Sequence, residues 1–243
     1  MMNALLLDIG NTRTKVGVFD QHDDCLFSAT ELSFDEIKII LEKYNCCKIG
    51  IINVQNTPTA LTSFLNKIPD EVKVITIHSS LIVPIINLYK TPLTLGVDRL
   101  CSAVASTLNY KNKNVLVIDC GTCIKYDLIN KKTEYVGGSI SPGLLMRYQV
   151  MAQNTIKLPV VTYSSLTSFY GNTTQTCINT GIVQGIINEI NGFIELYKNE
   201  YEDLQIILTG GDAPLFDKSL KYCTFAQPNW VLLGAHIILK YNV

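Results

Sequence analysis

Two stretches about half a chain apart, NALLLDIGNTRTKVGVFD and NVLVIDCGTCIKYDLIN, carry one pattern. An apolar strand runs into an aspartate, a glycine-bearing turn of small polar residues follows, and a second strand leads away. Each copy continues in the same way. CLFSATEL and then the helical SFDEIKIILEKYN follow the first, while TEYVGGSIS and then PGLLMRYQVMA, read as a helix begun by a proline, follow the second. A chain that repeats strand, strand, strand, helix cannot form a helical bundle or a β-sandwich. It predicts an α/β protein made of two copies of one unit, 1–113 and 114–243, and two copies are too few for a solenoid.

Between and beyond these copies the periodicity predicts further elements. Ser33 and Glu36 form a capping box before a helix whose apolar face holds Phe34, Ile37, Ile40 and Leu41. KIGIINV and VKVITI read as strands flanking a helix in TPTALTSFLNKI. From Ser79 to Thr94 the pattern is weak, broken by Pro84 and Pro92, and helix resumes in LGVDRLCSAVASTLNY. A long helix is expected over 173–199, with Gly181 and Gly185 one turn apart, either tolerated or admitting another helix, including one from a second subunit. The chain then reads as strand LQIILTGG, a short polar helix from Asp212, and helix WVLLGAHIILKY.

Charge excludes some partners. Twenty basic and 21 acidic residues give a net charge of −1, and no run of Lys and Arg forms the stripe a nucleic-acid backbone requires. No apolar run approaches the ~20 residues needed to cross a bilayer, and the leading apolar run stops at Asp8 without a basic flank, so neither membrane nor secretory signal is expected and the cytoplasm is the expected compartment. Eight cysteines are scattered through apolar runs. Cys120 and Cys123 form a C-x-x-C, but a second pair is missing and the three histidines lack ligand spacing, so buried thiols are expected in place of zinc or a redox pair.

The turns carry the chemistry. A polyphosphate needs backbone N–H groups aimed at it, a counter-ion and no bulky side chains. Gly10, Asn11 and Thr12 provide such a tip, with Asp8 at the end of the first strand and Lys15 on the second; Gly121 and Thr122 provide another beside Asp119. Singly, each is an ordinary hairpin turn. As a matched pair, each ending its strand in Asp, they point to two facing tips that clamp a polyphosphate and a magnesium ion. The phosphate loop G-x-x-x-x-G-K-[ST] and the dinucleotide G-x-G-x-x-G are both absent. Gly137-Gly138 and Thr209-Gly210-Gly211-Asp212 are ambiguous small-residue segments. Asp98 and Arg99 open a helix, where Asp reads either as a cap suited to the dipole or as a general base for an acceptor hydroxyl, with Arg99 holding the acceptor; on spacing alone the cap is the stronger reading.

DIGNTRTK, LGVDR, DCGT, GGSISPG and TGGDA, in this order and at these intervals, resemble the type III pantothenate kinases from Asp8 to about Asp212. The resemblance implies two ribonuclease-H-like halves with a cleft between them, as in actin, heat-shock chaperone ATPases and sugar kinases. It also implies transfer of phosphate from ATP to the terminal hydroxyl of pantothenate, the first step of coenzyme A synthesis, in a homodimer that needs Mg2+ and a monovalent cation, K+ or NH4+. Carried over by position, Asp8, Ile9, Gly10, Asn11, Thr12, Arg13, Thr14 and Lys15 form the first phosphate motif, and Gly121 with Thr122 the second. Asp98 is then the catalytic base, which reverses the preference for a cap. Tyr89, Gly96, Val97, Arg99 and Thr174 contact pantothenate, and Asp119 binds the monovalent cation. One departure is Lys125, where the family commonly has threonine: a cation there either alters the monovalent-ion requirement or points to solvent on an exposed strand face, and solvent is the preferred reading. Two rival functions are a kinase for another small hydroxy acid or sugar, and a nucleotide-binding regulatory relative without kinase activity. Asp98 beside Arg99 argues against the latter, because a pure binder needs no base.

Overall fold

The computed structural model describes residues 3–10, 13–53, 59–222 and 225–243. Its elements run β1 (Asn3–Ile9), β2 (Thr14–Phe19), β3 (Cys25–Thr30), α1 (Phe34–Lys43), β4 (Cys46–Asn53), α2 (Thr59–Leu65), β5 (Lys73–Thr76), β6 (Ile86–Asn87), α3 (Val97–Asn109), β7 (Val115–Cys120), β8 (Cys123–Ile129), β9 (Glu134–Pro142), α4 (Leu144–Gln153), α5 (Thr174–Glu200), β10 (Gln205–Thr209), α6 (Ala213–Phe216), β11 (Phe225–Ala226) and α7 (Trp230–Tyr241). The duplication read from the sequence is present in the topology. One sheet has the order β3-β2-β1-β4-β5, and the other contains β11-β10-β7-β8-β9, the same order with β7 in the place of β1. In each, the first strand pairs in parallel with the fourth and the fourth with the fifth.

The contacts divide the chain into two units. The first gathers residues 1–112, 129–137 and 229–243; the second gathers 113–128 and 138–228. The sequence division had placed the C-terminal helix in the second half. Instead α7 packs on α3, β1, β2 and β4. Gly234 lies so close to α3 that a Cβ there would stand 1.8 Å from the Cys101 carbonyl oxygen.

In the first unit, β1 is buried on both faces. Leu5, Leu7 and Ile9 join Val16, Val18, Ile49 and Ile51 in a core closed by Ile37 and Leu41 of α1 and Leu61 and Phe64 of α2. On the other face, Gly17 approaches Leu232 of α7, and Gly50 approaches Leu6 and Leu239. The capping box at α1 is present: the Glu36 N–H donates to Ser33 Oγ at 3.3 Å, and the Ser33 N–H to Glu36 Oε2 at 2.8 Å. In the second unit, Leu116, Ile118, Cys120, Ile124, Tyr126 and Leu128 pack against Ile182, Ile186, Ile190 and Ile194 of α5 and Leu144 and Tyr148 of α4.

Two local expectations are corrected. Pro142 closes β9 and does not begin α4, because Gly143 takes the N-cap position in extended backbone and its N–H donates to the Thr122 carbonyl at 3.0 Å. The segment after Asp212 is not a polar helix: α6 is APLF, and Ala213 and Phe216 are buried. Among the described residues, no helix is long and apolar enough to cross a membrane.

Candidate active site

The first unit holds one cluster of the expected residues. Asp8 closes the apolar run of β1 and is the direct cross-strand partner of Lys15, with Ile9 opposite Thr14. The turn between them closes through the Gly10 N–H donating to the Arg13 carbonyl at 3.2 Å, while the Arg13 guanidinium reaches the exposed Glu31 at 3.6 Å. Asn11 and Thr12 lie outside the described residues.

Asp98 stands in the first turn of α3, whose N-cap is Gly96 with no side-chain cap. Its Oδ1 accepts the Arg99 N–H at 2.9 Å, so the carboxylate satisfies one of the helix's orphan donors and is thereby held in one orientation. A Cβ on Gly96 would stand 2.6 Å from that Oδ1, which ties the bare Gly96 to the placement of Asp98. Asp8 and Asp98 act on a common neighbour. The buried Cys101 thiol is pushed well up, chiefly by desolvation and then by the negative charges of Asp8 and Asp98. Strand β1 and helix α3 therefore bring two carboxylates, distant in sequence, to bear on one place.

Arg99 is 5% exposed, and its guanidinium lies over two tyrosines, 5.7 Å from the Tyr89 ring centroid and 5.9 Å from that of Tyr135. The two rings are 6.0 Å apart. Tyr135 escaped the sequence reading. It reaches this group because β6 pairs in parallel with β9, setting Asn87 against Tyr135, and the Tyr89 N–H donates to Asn87 Oδ1 at 3.0 Å. Such cation–π packing fixes the planar head of an arginine.

In the second unit the three glycine segments of the sequence meet around one turn. The Gly121 N–H donates to the Cys123 carbonyl at 3.1 Å, closing the tip that bears the exposed Thr122. A Cβ on Gly143 would stand 2.1 Å from the Gly121 oxygen, and one on Gly210, whose φ is +98°, would stand 2.2 Å from the Cys120 oxygen and 2.6 Å from Asp119 Oδ1. The Asp212 N–H donates to the Cys120 carbonyl at 2.9 Å. Only residues without side chains allow these backbones so close to the turn.

Lys125 does not turn to solvent. Its Nζ is 2.6 Å from Asp119 Oδ2, with side chains 16% and 10% exposed. A lysine in so closed a place keeps its charge by pairing, and Asp119 is the carboxylate within reach. Cys120 lies in the core while Cys123 is only partly buried, and both are unbridged. Burial raises the Cys120 thiol far above its ordinary value, with help from Asp119, Asp212 and Glu189, so it is a poor nucleophile. Thr174 begins α5 on the surface. The neighbouring Thr173 is occupied as the N-cap, its Oγ accepting the Thr176 N–H at 3.2 Å.

Glu189 of α5 anchors the end of β9. It accepts from Ser141 Oγ and from Arg147, each at 2.5 Å, and from Tyr126 at 2.9 Å. Burial opposes its charge, but these hydrogen bonds prevail and lower its pKa.

The family model for type III pantothenate kinase matches residues 4–196. A type III pantothenate kinase of Bacteroides fragilis is 40% identical over 240 residues, covering 98% of each chain, and one of Flavobacterium johnsoniae is 38% identical over 243 residues, again covering 98% of each. Among solved structures, the glucokinase of an Antarctic psychrotroph aligns over 99% of each chain with TM-score 0.50 and 12% identity. Component A of the (R)-2-hydroxyglutaryl-CoA dehydratase of Acidaminococcus fermentans aligns over 100% of this chain and 98% of its own, with TM-score 0.51 and 13% identity. These two likenesses concern the fold.

Proposed function

The chain belongs to the type III pantothenate kinase family, and from that premise we propose that it transfers the γ-phosphoryl group of ATP to the terminal hydroxyl of pantothenate, giving 4′-phosphopantothenate. The geometry that carries this reading is Asp98, oriented by the Arg99 N–H at 2.9 Å, beside an Arg99 guanidinium held over Tyr89 and Tyr135, with the charge of Asp8 reaching the same Cys101 thiol as that of Asp98. A kinase needs these roles side by side: a carboxylate for phosphate-bound metal, a base for the acceptor hydroxyl, and a cation for the acceptor.

Asp98 orients the hydroxyl and accepts its proton. Because phosphoryl transfer has a loose transition state, positioning and charge neutralisation carry most of the acceleration, and a carboxylate of ordinary basicity is sufficient. Arg99 holds the pantothenate carboxylate or a carbonyl; Tyr89, Gly96 and Val97 line the acceptor's place, and Thr174 adds a contact. The turns at 10–12 and at 121–122 are the phosphate-binding elements, and Lys15 adds charge beside Asp8.

The hard carboxylate oxygens of Asp8, near the end of β1 and beside the turn at 10–12, fit a magnesium ion that takes most of its remaining ligands from phosphate and water. When bound there, Mg2+ would neutralise the β- and γ-phosphate oxygens. The implied monovalent cation fits less well. It would share Asp119 with an ammonium already 2.6 Å away, and a second unit charge about 4 Å from that ammonium costs about 4 kcal/mol at an effective dielectric constant of ~20.

The family also implies a homodimer. Gly181 and Gly185 on α5 support close approach of a second copy's helix, since nothing lies within 4 Å of where their Cβ atoms would stand. A cytoplasmic location, with neither nucleic acid nor membrane as partner, accords with the near-neutral charge.

The test is mass-spectrometric detection of phosphopantothenate after incubation with MgATP, beside a panel of sugars and hydroxy acids; a faster acceptor in the panel would replace pantothenate. Asp98→Asn is expected to lower turnover by about 10²–10⁴-fold while ATP affinity by calorimetry stays within about twofold. A mutant of near-wild-type rate would remove Asp98 from the chemistry.

A further inference from the structure

The second hairpin carries its own positive charge at the place where an exchangeable ion is implied. Ile118, Cys120, Ile124 and Tyr126 face the core, which puts Asp119 and Lys125 together on the opposite face of the β7–β8 hairpin. There Lys125 Nζ meets Asp119 Oδ2 at 2.6 Å. The other oxygen, Oδ1, lies against the Gly210 backbone, close enough that a Cβ would stand 2.6 Å from it. Both sides of the carboxylate are thus occupied, one by an ammonium and one by the loop that follows β10. The first hairpin sets a lysine in the corresponding place, Lys15 directly across from Asp8.

We propose that the Lys125 ammonium is a tethered monovalent cation, which neutralises Asp119 beside the Gly121–Thr122 turn and frees this chain from any need for added potassium or ammonium ion. This rests on the reading of that turn as a phosphate-binding element of a pantothenate kinase. A largely buried carboxylate must be neutralised if phosphate is to approach it. A lysine fixed to the neighbouring strand achieves this at every salt composition, whereas a diffusible ion does so only in proportion to its concentration. Removing the lysine leaves Asp119 buried with room beside it for an ion of ammonium size, and potassium matches that size better than sodium.

The experiment compares wild type with Lys125→Thr in choline, sodium, potassium and ammonium chloride at equal ionic strength, so that screening is constant. The Tris salt of ATP is used, and phosphopantothenate is quantified directly, because coupling enzymes can have cation requirements of their own. Wild type is expected to show the same rate in all four salts within about twofold; Lys125→Thr is expected to fall about tenfold or more in choline and sodium, the range for a buried pair broken on one side, and to recover in potassium or ammonium. Calorimetric MgATP affinity in the same salts gives a second readout that does not depend on pantothenate: potassium should strengthen binding only in the variant. Stimulation of wild type about tenfold or more by potassium overturns the proposal, as does a folded variant indifferent to the salt, whether active or inactive; the tenfold threshold exceeds what screening differences at matched ionic strength produce. If Lys125→Thr melts early, Lys125→Met keeps the packed stem, and the wild-type comparison stands without either. Absence of phosphopantothenate in every salt, with salt-independent MgATP binding by wild type and salt-dependent binding by the variant, would reject the pantothenate reading and leave the tethered cation standing.

Discussion

Replacing Gly143 by alanine probes whether the second turn holds phosphate. Gly143 has φ −75° and ψ 179°, a conformation alanine adopts without strain, so the whole effect is steric. The new methyl would stand 2.1 Å from the Gly121 oxygen, 2.5 Å from the Thr122 oxygen and 2.9 Å from the Thr122 carbonyl carbon. All three are backbone atoms, so no side chain can rotate aside, and the turn or the start of α4 must retreat by about 1 Å. That retreat strains the Gly143 N–H to Thr122 bond of 3.0 Å. Losing the bond costs about 1 kcal/mol and overpacking about 1–3 kcal/mol, together about 2–4 kcal/mol. Because Thr122 is exposed, the tip yields more readily than the core, and the cost falls on ATP binding: about 30- to 700-fold weaker at 1.4 kcal/mol per factor of ten. Steady-state KM for MgATP, calorimetric ATP affinity and a thermal melt measure it. The pantothenate KM should move less than about threefold, and the melting point by less than about 3 °C if the tip absorbs the strain. Gly192→Ala is the control, because nothing lies within 4 Å of its Cβ position. An ATP KM within about twofold of wild type in a normally folded Gly143→Ala protein would refute the assignment of this turn.

Two further predictions concern the scaffold. Gly234→Ala forces α7 off α3, since its Cβ would stand 1.8 Å from the Cys101 oxygen and 2.4 Å from the Cys101 carbonyl carbon; it should lower stability by about 2–4 kcal/mol, read as a drop in urea midpoint at constant slope. Glu189 has a lowered pKa, so its contribution to stability is complete above the unfolded-state value of 4.5 and is lost as pH falls through the folded-state value. Wild type should therefore lose more urea stability between neutral pH and acid below that range than Glu189→Gln does, and equal losses would show that the Ser141–Arg147–Tyr126 hydrogen bonds do not favour the charged form.

The duplicated unit was legible because it rests on local signals: strand alternation, the Ser33–Glu36 capping box, and glycine between apolar runs. The motif order identified the family for the same reason. What escaped was set by distant segments. Alternation puts Lys125 on the face opposite the core, which in a lone hairpin is the wet face, but the Gly210 loop reaches the Asp119 carboxylate there, and nothing near Lys125 announces it. Tyr135 joins Arg99 only through β6, two residues long between Pro84 and Pro92, where no periodicity can register. Helix α7 is apolar enough to suit either sheet, and its choice is made by Gly234 fitting α3 and by Leu232 and Leu239 fitting Gly17 and Gly50. Asp98 keeps both of its readings: its carboxylate does accept a helix N–H, and the same bond fixes the orientation that the proposed base would need.

Because α7 completes the unit that β1 begins, that strand acquires its covering layer from a helix coded after the whole of the second unit. Until then one apolar face of that sheet, around Leu6, Gly17 and Gly50, lacks its native cover, while residues 138–228 have all of their own unit's segments at hand. Vectorial synthesis therefore favours the later-coded unit settling first, and the exposed sheet of the earlier one is the point at which a growing chain would engage a chaperone or aggregate.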